Sequence, residues 1–467
     1  MQTIPVPQYF DEIRRESDTL WKKLEDDPVL AGPWRQLFSQ VKSPKHVLSE
    51  LLQNADDAGA TSASVYIDNN TFIFEHDGHD FSADELRSLC RFGFSNKRSL
   101  RTIGFRGIGF KSAFSLGPTV RLNTQTLSIQ FRESRFTYPE WVDAHDVWDR
   151  TRISVDFIDD LRRREIENSL SVWSMSPISL LFFSNIRLLS IQGETISKEI
   201  VFDNEDLNFQ RINLTGSTCG KIDYYWSEPE SFPPAAIAEI RQERNAEDLE
   251  LPPCRVELFV CQNETPRVYV VLPTGATTAL PFSCNGPFIQ DPARFGIKDP
   301  SVSPTNRWLL ERVGKLAADI MKQRLNDDSL EMKERANGYD LLPKEKSGDF
   351  LLNDNISSCV IESFAERLGD EPLLLTTEGG LASSENCAVI HPDIQNIWSS
   401  AKILEMLGWT SDKSLLAFEV PERIRAILKK WGWISPMSVG SFLEWISTRN
   451  VPKPSSWNKL GAFWQMA

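Results

Sequence analysis

Glu50, Asn54 and Asp57 recur four and three residues apart in KHVLSELLQNADDAGA, a spacing that stacks a carboxylate, an amide and a second carboxylate along one side of a helix. Taken alone, the row is also an ordinary solvated helix face. Further on, FEHDGHDFSADEL sets Asp77 beside Gly78 at the end of a strand. A buried carboxylate there would accept a hydrogen bond from an exocyclic amine; by itself the pair is a turn. A third stretch, IGFRGIGFKSAF, carries Gly104, Gly107 and Gly109 directly ahead of a helix-like segment, where backbone N–H groups can approach a phosphate. It matches neither GxxxxGK[ST] nor GxGxxG, so the signal lies in the order and spacing of the three stretches together. Charge agrees: between Glu85 and Lys111 there are seven basic residues (Arg87, Arg91, Lys97, Arg98, Arg101, Arg106, Lys111) against the single acid Glu85. In isolation such a run is equally a basic surface loop.

These residues need elements to hold them. Ser43 and Pro44 read as an N-cap and first helical position, with Val47, Leu48, Leu51, Leu52 and Ala55 as the apolar face of the helix that follows. Ser82 to Glu85 reads as a capping box for the next helix. Alternation at Ala63, Val65 and Ile67 and at Ile153, Val155 and Phe157 predicts strands. Residues 1–42 form an N-terminal helical arm with Phe10, Ile13, Leu20, Trp21 and Leu24 at helical spacing, and residues 43–189 an α/β segment. From 190 to 325 hairpin-like strands (CRVELFVCQ, PRVYVVLPTG) precede a helix through Trp308, Leu309 and Val313, giving an α+β middle domain. Residues 326–349 read as a charged linker, and 350–467 as a mainly helical region holding seven of the fourteen tryptophans, read as core packing.

The chain has 467 residues and a net charge of -14, which disfavours bulk attraction to nucleic acid or anionic membrane. Seven cysteines without a CxxC pair suggest neither a disulfide framework nor a zinc site. No signal peptide and no run of eighteen apolar residues is visible, so a cytoplasmic protein without a membrane span is expected. His46, His76 and His79 lie near the proposed site but lack the companions of a metal centre. Cys90, beside Arg87 and Arg91, reads as a partly buried, inert thiol. The last helix-like segment ends without a Gly or Pro stop signal, which suggests the front portion of a longer protein.

ELLQNADDAGA, HDGHDF and IGFRGIGFKSAF, in this order, resemble the N, G1 and G2 boxes of the GHKL ATPases, the superfamily of gyrase, the ninety-kilodalton heat-shock chaperones, histidine kinases and MutL. The FSNK segment and the GIGFKS form of the third box are more similar to the sacsin and No-Vein branch. The resemblance covers about Ser43 to Phe157; a weaker likeness continues through LPFSCNGPF, Arg294 and SPTNRWLLERV. It implies a Bergerat-type ATP-binding sandwich, a mixed sheet covered by helices, followed by a transducer-like α+β domain.

The resemblance also implies roles. Glu50 would be the general base that orients the attacking water, and Asn54 would offer its amide oxygen to Mg²⁺. Asp77 would bind the adenine amino group with support from Thr151. Asp57, Gly78, Gly104, Gly107, Ile108, Gly109 and Phe110 complete the nucleotide-binding set, with Lys97 and Lys111 as phosphate charge partners and residues 82–103 as a lid. Arg294, Lys298 and Arg307 are the candidates for a γ-phosphate contact from the middle domain. Two departures stand out: the G1 box lacks the chaperones' second glycine, and Arg150 replaces the glycine usual before Thr151. The expected partners are ATP, a second copy or larger assembly, and a protein client or partner subunit. The activity expected is slow, dimer- or partner-stimulated ATP hydrolysis in a chaperone-like machine, or in a nucleic-acid-linked one such as a bacterial antiviral defence component. A non-hydrolysing nucleotide-binding regulator or scaffold is the alternative.

Overall fold

The computed structural model describes residues 4–27, 29, 32, 44–91, 109–143, 149–175, 177–204, 208–216, 220–244, 250–261, 264–291, 296–344, 354–408, 413–448 and 451–466. Helix α1 (Phe10–Asp26) turns Phe10, Ile13, Trp21 and Leu24 inward. Helix α2 (Pro44–Asp57) buries Val47, Leu48, Leu51, Leu52 and Ala55 completely, the face its 3.6-residue periodicity prescribes. Strands β1 (Ser62–Asp68) and β2 (Thr71–His76) form an antiparallel hairpin. Helix α3 (Ala83–Leu89) begins with a complete Ser82/Glu85 capping box.

A 3-10 turn (Gly109–Ser115) leads into β3 (Thr119–Asn123), β4 (Ser128–Arg132), β5 (Arg135–Trp141) and β6 (Thr151–Asp156). Helix α4 (Asp160–Met175) follows, then β7 (Leu188–Ile191), which pairs parallel with β1. Among the described residues the sheet has fourteen strands and continues from β7 through β8 (Glu194–Asn204), β9 (Phe209–Thr215) and β10 (Gly220–Trp226) into the middle-region strands between Glu257 and Asn285. The strands therefore run across the boundary expected at 189/190. The first core gathers the apolar face of α2, Phe72, Phe74, Ile153 and Val155 together with Ile212, Leu214 and Ile222.

The arm is docked. Trp21 Nε1 donates to Thr137 Oγ1 at 2.8 Å, Phe10 meets Trp141 edge-on at 5.2 Å, and Arg135 of β5 pairs with Asp18 and Glu25. In the middle region, α5 (Pro234–Arg244) and α6 (Pro304–Asn326) cover a second core. Part of the expected linker is packed rather than exposed: Ala336, Tyr339, Leu341 and Leu342 are buried in that core, and Tyr339 Oη donates to the Leu373 carbonyl at 2.6 Å. Helix α7 (Asn355–Leu368) lies against α6. Beyond it come short helices and two-residue strand pairs. The tryptophans there divide: Trp398 and Trp431 are buried, whereas Trp457 and Trp464 are exposed, so core packing accounts for only part of them.

Candidate functional site

Helix α2 presents its polar row at the edge of the first core. Glu50 is 7% exposed, Asn54 is half-buried and Asp57 is exposed. The gradient follows from the helix running from the core toward its own exposed C-terminus. Neighbouring Asp56, which sequence reasoning passed over, anchors that end. Its carboxylate accepts from the backbone N–H groups of Ser184, Asn185 and Ile186 at 3.0, 2.7 and 3.0 Å. Nothing local in the sequence separates Asp56 from Asp57; only the fold brings residues 184–186 to it.

In the G1 segment, Asp77 is bonded to its own neighbours. Its side chain turns out of the sheet and caps the loop before β1: Oδ1 accepts from the Thr61 and Ser62 N–H groups, both at 2.8 Å, and Oδ2 from their hydroxyls at 2.7 and 2.9 Å. Burial works to raise its pKa, but these hydrogen bonds outweigh burial and hold the carboxyl at about 2. All four contacts are internal, so Asp77 acts here as a latch. The buried residue at this strand end is His76, 5% exposed. Its cross-strand partner on β6 is Thr151, 3% exposed. Strand alternation puts both on the face that carries Phe72, Phe74, Ile153 and Val155 toward the core. The other face carries the Glu75–Arg152 ion pair at 3.3 Å.

Gly78 donates its N–H to His76 Nδ1 at 3.1 Å, and a Cβ at this glycine would come within 2.8 Å of the Ala58 carbonyl and 2.9 Å of Nδ1. Only glycine therefore fits between the end of α2 and the imidazole. Burial lowers the His76 pKa to about 4, so the ring is neutral near pH 7. His79 bonds Ala58 O at 2.5 Å and Glu85 at 2.9 Å, and the Glu85 hydrogen bond raises its pKa. Both histidines are thus hydrogen-bonded around the end of α2; the side chain of His46 lies outside the described residues.

Lys111 is likewise engaged within the protein. Its side chain is fully buried, Nζ donates to the Leu89 carbonyl at 2.7 Å, and the ammonium lies over the rings of Phe110 and Phe131 at 5.2 and 4.9 Å. Burial lowers its pKa to about 8. It ties the 3-10 turn to the end of α3 rather than standing open to a phosphate. Phe110 is 6% exposed, and Gly109 opens the turn. Lys97, Gly104, Gly107, Ile108 and most of the 82–103 lid lie outside the described residues. The Arg87 and Arg91 charges meet α1: Glu16 lies 3.3 Å from Arg87 and 3.7 Å from Arg91. Burial drives the Cys90 thiol up to about 12, consistent with an inert thiol.

Of the three basic candidates from the middle region, Arg294 lies outside the described residues. Lys298 is paired with Glu239 and Glu243 of α5 at 2.9 and 3.1 Å, and Arg307 with Glu311 of its own helix at 3.2 Å. These contacts all lie within the middle region. What does meet α2 from that region is a cavity of about 290 Å³ lined by Gln53, Asp57, Arg255, Glu257, Val271 and Asn285, among others. Glu257 bridges Arg255 and Asn285, each at 2.7 Å. The buried Gln53 amide has no hydrogen-bond partner among the described residues.

Among the described residues of the α2 row, Asn54 is the one whose amide oxygen would suit a hard cation. No group of three or more His, Cys, Asp or Glu side chains is placed to hold a metal among those residues. A single amide oxygen such as that of Asn54 suits Mg²⁺, which is commonly held by one or two protein oxygens plus phosphates and water. No described helix is long and apolar enough to cross a membrane.

Residues 42–167 match the family profile described as "Histidine kinase-, DNA gyrase B-, and HSP90-like ATPase". Over 118 residues the chain is 31% identical to "MORC family CW-type zinc finger protein 3" of Mus musculus, a stretch that is 22% of this chain and 12% of that relative. The α/β architecture around α2 and these two similarities support the GHKL superfamily for this segment, and a GHKL-type ATPase domain suggests ATP binding and hydrolysis.

Proposed function

We propose that the segment 43–189 binds ATP with Mg²⁺ and hydrolyses it slowly, within a larger machine of the sacsin and No-Vein-like branch. The observation that carries the proposal is α2 itself: Glu50, 7% exposed, lies one helical turn from Asn54 on the helix matched by the ATPase profile. In this reading Glu50 orients and deprotonates the attacking water, and its low exposure limits competing solvent. Asn54 holds the cation, whose chemistry is to neutralise charge on the phosphates. The backbone at Gly104, Gly107 and Gly109 cradles the phosphates, with Lys97 as a charge partner. The cavity between α2 and the middle region, with Gln53 on its wall, supports coupling of nucleotide state to the neighbouring strands.

The test is phosphate release by the purified chain against Glu50→Ala. Wild-type turnover, with loss of at least about 100-fold in the variant and retained ATP binding, is expected. Equal release by both, with ATP bound, removes the hydrolytic claim and leaves a nucleotide-binding regulator. For the biological output, stimulation by DNA or RNA that falls steeply with salt would favour a nucleic-acid-linked role. Suppression of client aggregation without that stimulation favours a chaperone-like one.

A further inference from the structure

Both ring nitrogens of His79 face oxygens that only accept. Nδ1 lies 2.5 Å from the carbonyl of Ala58, the residue after the end of α2, and Nε2 lies 2.9 Å from Oε1 of Glu85 in the first turn of α3. The backbone N–H of His79 donates to the same Ala58 carbonyl at 3.0 Å. Glu85 also accepts from the Ser82 N–H and hydroxyl at 2.8 and 2.7 Å. Burial works to raise its pKa, but the hydrogen bonds from His79 and Ser82 outweigh burial, so the carboxyl is ionised and has no proton to give. A neutral imidazole carries one N–H and would leave lone pair against lone pair at one of the two contacts; only the imidazolium donates at both. Its charge sits beyond the C-terminus of α2, where the helix dipole favours a cation. The titratable groups around it agree. The Glu85 hydrogen bond raises the His79 pKa against the effect of burial, Asp80 adds to the rise, and His76, neutral near pH 7, adds no repelling charge.

Resting on the nucleotide reading above, we infer that His79, as an imidazolium, is a positioning residue that pins the last turn of α2 to the start of α3, so that the turn bearing Asn54 is fastened only while His79 is protonated. The connection is short. The Ala58 N–H donates to the Asn54 carbonyl at 3.0 Å, the Ala58 carbonyl is held by His79, and His79 is held by Glu85 inside the α3 capping box. Deprotonation leaves one ring N–H for two acceptors, so either the end of α2 or the start of α3 loses its contact. The sign with pH follows. The folded-state pKa is raised, so the fastening is complete below the ordinary histidine value of about 6.5 and is lost as pH rises through the raised one.

The experiment measures amide hydrogen exchange of residues 54–58 and 83–89 in the full chain at about pH 6 and about pH 8.5, corrected for the intrinsic rate, and ATP binding with Mg²⁺ by calorimetry at the same two values. The pair is half exposed, with side-chain exposures of 55% for His79 and 46% for Glu85, so wild-type protection is expected to fall by about three- to fivefold over that range, and ATP affinity with it. His79→Arg keeps a charge and two donors throughout and should hold protection level. His79→Gln carries no charge and should show the weaker protection already at the lower pH. Glu85→Gln keeps a capping residue and drops the carboxylate, so the His79 titration midpoint, read by NMR, should move down. Protection that depends on pH equally in wild type and His79→Arg overturns the inference, as does a His79 midpoint that Glu85→Gln leaves in place. Protection that changes as expected while ATP affinity stays constant overturns the positioning role. Absence of ATP binding at both pH values, with the expected exchange pattern, overturns the nucleotide reading and leaves the fastening of α2 to α3 standing.

Discussion

Replacing Asp77 by Asn separates a latch from a base ligand. The carboxylate accepts four hydrogen bonds of 2.7 to 2.9 Å from Thr61 and Ser62, and its pKa falls from 3.8 to about 2. At about 1.36 kcal/mol per unit, that shift corresponds to at most about 2.5 kcal/mol. The residue is exposed, and solvent screening reduces the figure to about 1–1.5 kcal/mol. In the variant an amide NH₂ would face hydroxyl and N–H donors, so Asp77→Asn is expected to lower the urea-unfolding free energy by about that amount at pH 7, while ATP affinity changes less than about threefold. The sign with pH follows from linkage. The folded-state pKa is depressed, so the carboxylate's contribution is complete above about pH 4 and disappears as pH falls through about 2. The gap between wild type and variant should therefore close over that window. An unchanged unfolding midpoint together with lost ATP binding would refute the latch and restore Asp77 as the base ligand.

Two further outcomes are expected. Lys111 has a folded-state pKa near 8 against an ordinary 10.5, so between those values the unfolded chain binds more protons and stability rises with pH. Lys111→Met should remove about 2 kcal/mol of that rise, read as the difference between wild-type and variant urea-unfolding free energies at pH 7.5 and pH 10; parallel pH profiles would show the ammonium to be solvated. At Gly314, a Cβ would sit 2.4 Å from the Val360 carbonyl and 2.9 Å from the Phe364 nitrogen. Gly314→Ala must push α6 and α7 apart and cost about 2–3 kcal/mol in unfolding free energy, whereas a loss below about 0.5 kcal/mol would mean that the two helices do not pack backbone to backbone.

The elements that carry the chemistry are legible because their signals are local. Pro44 at the first helical position and the apolar row from Val47 to Ala55 mark where α2 begins and which face it buries. Glu50, Asn54 and Asp57 then share one side by helical geometry alone. The capping box at Ser82 and Glu85 is equally local. The basic run from Glu85 to Lys111 is visible as composition, but composition does not say where each charge goes: Arg87 and Arg91 meet Glu16 of the arm, and Lys111 goes inside.

Side-chain direction at the end of β2 is set elsewhere in the chain. Successive strand residues point to opposite faces, so whether His76 or Asp77 enters the core depends on register, and one residue of slip reverses the answer. That register comes from pairing with β6, some 75 residues away, and from the Thr61–Ser62 loop that captures Asp77. Burial of Tyr339 in a stretch that reads as a charged linker depends likewise on Leu373, and the anchoring of α2 through Asp56 depends on residues 184–186. Periodicity, caps and glycine spacing act over one or two turns of chain, so the order of residues suffices to define the ATPase-type elements and their polar row. Which atoms those elements turn toward a ligand is settled in three dimensions, by contacts between distant segments whose free energy no local pattern records.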